Sequence, residues 1–186
     1  TDTLQGLVTG KKTLTGEYAA VKSCSYQSQK VECKQYAKPD TKGDFIFTPD
    51  EGKFDDPFAE VMAYYHVDTF HRYMNKTFGF ARQGKTGIEV FVNLHGVQGG
   101  QKKGMANAFF GDLNGDSIGD LVFGQGSKDF AYDADVIYHE FTHSAVDETS
   151  NLTVAMDSLR LNATPPALNE GFAATFSSFP PRHPAV

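Results

Sequence analysis

What this 186-residue chain lacks bounds it first. It has no Trp and only two Cys, Cys24 and Cys33, which excludes a disulfide-dense scaffold and a Cys-rich metal cluster. No apolar run approaches the roughly eighteen residues that span a bilayer, and Thr1 opens neither a basic n-region nor an apolar h-region. We therefore expect no membrane partner, and a mature or excised piece. Positive charge is also short: 17 Lys and Arg face 23 Asp and Glu, for a net charge of -6. The only KK pairs are at 11–12 and 102–103, so no nucleic-acid surface is expected. With 40% hydrophobic and 22% charged residues, the chain has the composition of a folded domain rather than of a disordered one.

The length suits one well-buried domain over residues 1–186: a β-rich part (1–57), a core (58–178) and a tail (179–186). Cys24 and Cys33 flank a polar stretch that can fold back as a hairpin and bring them within bonding distance. A disulfide there implies an oxidising, extracellular home; a reduced pair is the alternative.

Residues 1–36 alternate short β-prone pieces with Gly, Lys and Ser, suiting edge strands and hairpins. Residues 37–57 read as a loop holding one short strand at Phe45-Ile46-Phe47. From Phe58 to Phe78 the apolar positions follow a 3.6 period and end at Gly79, which predicts a helix. Ile88 to Leu94 (IEVFVNL) has the β-branched and aromatic bias of a buried strand, stopped by Gly96 and Gly99-Gly100. Two more strands are expected at Asn107–Phe110 and Leu121–Phe123. Asp133 to Val146 reads as a helix whose stripe of Ala134, Ile137, Tyr138, Phe141 and Ala145 packs, while His139, Glu140 and His143 face a cleft. A Pro165-Pro166 stop precedes a third helix, Ala167–Phe176.

His139-Glu140-Phe141-Thr142-His143 is H-E-x-x-H on a helix. Residues four apart lie one turn above each other, so two imidazoles can converge on one zinc ion, each at about 2.0–2.1 Å. Glu140 is left free to take a proton from a metal-bound water. By chance such a match arises on the order of once in a few hundred chains of this length. A catalytic zinc needs a third protein ligand; Glu170 in ALNEGFA, on the following helix, is placed to reach across the cleft, and a solvated first-turn glutamate favoured by the helix dipole is the alternative.

HEFTH followed by ALNEGFA resembles the glutamate-zincin peptidases of the thermolysin and fungalysin group. Asn107-Ala108-Phe109-Phe110 resembles their substrate-binding edge strand, AYYHVDTFHRYM their preceding long helix, and LVFGQG the strand after the edge hairpin. The resemblance spans roughly residues 58–178. It implies an α+β, zincin-like fold with a twisted, mostly antiparallel sheet, a long helix and the HEXXH helix as cleft floor, its C-terminal helical subdomain largely absent. It also implies one catalytic zinc on His139, His143 and Glu170, Glu140 as general base, and a peptide or protein substrate held as an added strand by Asn107 and Ala108. Apolar side chains just after the scissile bond would be favoured. Asn169, in the N-E-x motif, is a candidate partner for a ligand His.

The chain departs from that family at Ala174, where an Asp usually supports the first His; Asp135 or Asp147, each one turn from a ligand, are candidate substitutes. Val154 stands where the family has an oxyanion-binding Tyr, and His183 is a poor replacement for the His of the family's C-terminal domain. That domain, or a pro-segment, is expected to be missing, because Phe172, Phe176 and Phe179 would otherwise lack cover. The alternative function is a zinc-binding relative without turnover.

Asp112, Asn114, Asp116 and Asp120 stand at positions 1, 3, 5 and 9 of a calcium-loop pattern, but Phe123 replaces the bidentate Glu and Ser117 the turn Gly, which favours a solvated turn over calcium. His66, His71 and His95 read as core or surface imidazoles. Asn75, Asn151 and Asn162 begin N-x-S/T sequons.

Overall fold

The computed structural model describes residues 2–81, 87–150, 152, 155–157, 160–162 and 164–178. Val154, Phe179, His183 and the sequon at Asn151 lie outside them. The strands are β1 (Ala19–Gln27), β2 (Lys30–Lys34), β3 (Ile88–Gln98), β4 (Gln101–Gly104), β5 (Ala108–Gly111), β6 (Asp120–Gly124), β7 (Ala155–Asp157) and β8 (Arg160–Asn162). The helices are α1 (Pro57–Phe78), α2 (Ala134–Ser150) and α3 (Thr164–Phe176).

The main sheet runs β2-β1-β3-β6-β5, with β4 also on β3, and β7 pairs with β8 apart from it. The α+β class is as the sequence suggested. The sheet is mixed: β1–β3 and β3–β6 are parallel, while β1–β2, β3–β4 and β5–β6 are antiparallel. Val90 and Val92 face the helices while Phe91 lies with Cys24 and Val122 in a smaller cluster on the other side. A strand buried on both faces is what parallel pairing requires.

Strict alternation would put Leu94 with Val90 and Val92, yet it shares the second cluster with Phe91. Asn93 causes this. It takes φ 54°, and against both neighbours β3 spends one extra residue: Val92 and His95 face Ser23 and Ser25, and Phe91 and Leu94 face Val122 and Gly124. Such a bulge turns the following residues over. The fully buried Asn93 donates from Nδ2 to Ser23 Oγ (2.8 Å) and to the Asp56 carbonyl (2.9 Å). His95 Nδ1 donates to the Asn93 carbonyl (2.8 Å), which makes that ring structural.

Helix α1 starts on Asp56, whose side chain accepts from Phe58 N, with Pro57 in its first turn, and ends on Gly79 at φ 70°. Its buried face carries Ala59, Ala63, Tyr64, Val67, Phe70 and Met74. The buried Glu60 on that face accepts from Ser23 Oγ (2.6 Å), Tyr36 N and Ala37 N, tying the chain after β2 to the helix. His71 stacks on Tyr18 at 4.0 Å, and His66 Nδ1 shares a hydrogen bond with Tyr138 Oη (2.8 Å).

Three local expectations are corrected. Residues 45–47 form no strand: Phe45 and Phe47 pack on the core while Ile46 is 69% exposed, so alternation arises without a pairing partner. Strand β3 runs through Gly96 to Gln98 because its hairpin partner β4 continues there. Pro165 and Pro166 lie inside the first turn of α3, where their missing N–H groups leave no helical bond unmade.

Cys24 and Cys33 are bonded, facing each other across β1 and β2 with Cα atoms 4.2 Å apart. Among the described residues no helix is long and apolar enough to cross a membrane.

Candidate metal centre

Helix α2 is clamped by its packed side. Phe141 is fully buried and meets Phe70, His71 and Phe80 edge-on. Ile137 and Tyr138 continue that face. Locking those residues turns His139, Glu140 and His143 toward α3 and β5.

His139 Nε2 and His143 Nε2 lie 3.1 Å apart, and Glu170 Oε2 is 3.3 Å from the first and 3.6 Å from the second. Three ligands of a tetrahedral zinc with bonds of about 2.05 Å would be separated by about 3.3 Å. The three atoms therefore fit the vertices of one zinc polyhedron. Among the described residues this is the one group of His, Cys, Asp and Glu close enough to hold a metal.

Protonation suits the same role. His143 Nδ1 donates to Asn169 Oδ1 at 2.8 Å, so in the neutral ring Nε2 carries the lone pair and points at Glu170. Burial lowers the His139 pKa, and His143 lowers it further against the opposing pull of Glu170. Both effects favour the neutral form of the His139 imidazole.

Glu140 is 7% exposed. Burial pushes its carboxyl up to about 7; His143 opposes the rise, Glu170 adds to it, and a hydrogen bond from the Phe110 backbone N–H opposes it. A proton acceptor tuned to that range has the driving force general-base work needs at neutral pH.

Beside the three atoms lies a cleft of ≈ 410 Å³. Asn107 and Ala108 form its rim, with Phe130, Val136, Ala174 and Ser177 as walls. Val136 could have been read from spacing, since it lies one turn before Glu140; Phe130, on the turn entering α2, and the Phe110 N–H carry no such signal. The rim is seated by hydrogen bonds from Met105 N to the Gln125 carbonyl and from Gly124 N to the Asn107 carbonyl, both 2.9 Å. It rests directly on glycine: a Cβ on Gly124 would sit 2.3 Å from Met105 O, and one on Gly126 2.7 Å from Ala106 Cβ. Edge strand β5 begins at Ala108 and, among the described residues, pairs only with β6.

Asp135 and Asp147 are both exposed, and Asp135 lines the cleft. The His143 ring donates its hydrogen bond to Asn169 instead. Ala174, which has no polar side chain to offer His139, faces the cleft.

In the loop after β5 the acidic groups turn inward. Asp112 accepts from Gly115 N, Asp116 N and Ser117 N, Asp116 from Ile118 N, and the buried Asp120 from Leu113 N. These oxygens close a turn on its own N–H groups.

A profile of the thermolysin metallopeptidase catalytic domain matches residues 1–147, which takes in His139, Glu140 and His143 and stops before Glu170. Among solved structures the chain is similar to the precursor of protealysin, a metalloproteinase from Serratia proteamaculans, with 18% identity and a TM-score of 0.47. That match covers 88% of this chain and 44% of the other, so the chain spans less than half of that structure's length. No curated protein matches.

Proposed function

The chain belongs to the thermolysin metallopeptidase family, and on that premise we propose that it is the zinc-binding, water-activating part of a secreted endopeptidase, one zincin-like unit. The observation that carries the reading is the 3.1–3.6 Å triangle of His139, His143 and Glu170 ligand atoms beside a buried carboxylate.

His139, His143 and Glu170 would hold the zinc, with Asn169 orienting His143. A zinc ion so held supplies Lewis acidity, which acidifies water and polarises a peptide carbonyl. Glu140 takes the proton at its carboxylate and passes it to the departing amine nitrogen, held meanwhile by the Phe110 N–H. Asn107, Ala108 and the free edge of β5 bind the substrate backbone as an added strand, which presents the peptide along the cleft. The Cys24–Cys33 bond supports an extracellular setting.

The rival reading is a zinc-binding relative without turnover, favoured by Ala174 in place of a carboxylate that would support His139. Casein and dipeptide-amide cleavage by the zinc-loaded chain and its Glu140→Gln variant separates the two. The peptidase reading expects equal zinc content and a loss of about 10²- to 10⁴-fold in rate. Bound zinc with no Glu140-dependent cleavage overturns it in favour of the rival.

A further inference from the structure

We infer that Asp135 makes this cleft select substrates carrying Lys or Arg beside the scissile bond. The inference rests on the peptidase reading and departs from the apolar preference that the family resemblance implies.

Asp135 precedes His139 by one helical turn, so the two side chains lie on the same face of α2. Both line the cleft, together with Phe130, Val136, Ala108 and Ala174. Asp135 is exposed, and among the described residues no Lys or Arg pairs with it or lines the cleft. The pocket therefore offers an apolar wall of ring, isopropyl and methyl groups and, on the same helix as the wall residue Val136, an unneutralised carboxylate.

A purely apolar side chain fills the wall and leaves that carboxylate solvated. A long cationic side chain lays its methylene stem on Phe130 and Val136 and brings its head to Asp135, satisfying both features at once. An acidic side chain meets like charge from Asp135, with Glu140 nearby. Because Asp135 is solvent-exposed, the pairing is modest and falls with salt.

The test uses zinc-loaded chain and hexapeptides that differ at one residue beside the scissile bond: Lys, its uncharged isostere norleucine, or Glu. Cleavage sites are read by mass spectrometry at low and high salt. We expect Lys above norleucine and norleucine above Glu. The Lys-to-norleucine ratio should be about two- to fivefold at low salt and fall toward one at high salt and in Asp135→Asn. A Lys-to-Glu ratio unaltered by Asp135→Asn overturns the inference. A second arm measures binding of the same peptides to zinc-loaded Glu140→Gln, alone and combined with Asp135→Asn. Asp135-dependent preference for the Lys peptide in binding, with no cleavage by the parent chain, keeps this inference and refutes the catalytic reading. No binding of any peptide refutes the inference.

Discussion

Asn169 Oδ1 accepts the Nδ1 proton of His143 at 2.8 Å and thereby joins α3 to the helix that carries His139 and His143. One amide fixes both the ring's orientation and which nitrogen bears its lone pair. Asn169→Ala should weaken zinc binding about 10- to 100-fold, measured by competition with a chromophoric chelator, while Asn169→Asp retains most of the affinity. Equal affinity for all three chains would show that Asn169 does not orient the ligand.

Glu170 links the helices a second time through the site itself. Zinc should therefore stabilise the fold: at a thousandfold excess over its Kd the gain is about 4 kcal/mol. Thermal unfolding with and without zinc checks this, and the shift should vanish in Glu170→Ala. An undiminished shift in that variant would place the ion elsewhere.

Gln125 and Asp129 form a second consequential pair. They face each other across an antiparallel bridge whose hydrogen bond runs from Gly126 N to Lys128 O, the narrow kind in which side chains approach closely. Both are buried, and among the described residues Gln125 Oε1 and Asp129 Oδ2 each lack a donor. Burial raises the Asp129 carboxyl to about 6, with Asp56 and Glu51 adding to the rise against the Ala131 N–H; Asp120 is likewise raised to about 6, chiefly by burial. In the unfolded chain both release protons from the ordinary 3.8. Stability these groups confer below that pH is thus lost as pH climbs to about 6, on the order of 3 kcal/mol for each. Asp129→Asn keeps the cap on Ala131 and supplies the missing donor. Urea unfolding should show it more stable than the parent by about 1–3 kcal/mol at neutral pH and little different near pH 4. A gain of the same size at both pH values would refute the titration.

The Cys24–Cys33 bond closes a short loop, separation 9. Removing it as the double Ser variant should cost about 2–3 kcal/mol by loss of that restraint on the unfolded chain, read from chemical denaturation, with zinc affinity unchanged because the hairpin lies at the far edge of the sheet from β5. A fall in zinc affinity would contradict this.

What could be read from the sequence was whatever depends on short-range spacing. His139, Glu140 and His143 are legible because four residues make a turn, and α1 because its apolar positions repeat at 3.6. The parallel centre of the sheet is a question of which strand lies beside which, and IEVFVNL fits either answer. Asn93 breaks alternation through one backbone angle; its only trace is that Asn tolerates the left-handed region better than most residues. Phe45-Ile46-Phe47 shows the converse, a strand pattern met by loop packing. Asp56 falls in the expected loop and Gln125 in LVFGQG, yet nothing in a linear string says that their polar side chains and that of Asp129 will be buried together.

The seat of Met105–Asn107 on Gly124 and Gly126 means that the height of the cleft rim above His139, His143 and Glu170 is fixed by two missing methyl groups. Divergence can therefore repaint the walls at Val136, Ala174 or Ser177 freely, whereas a single Ala at position 124 would lift the whole rim and, on the proposed reading, spoil every substrate alike.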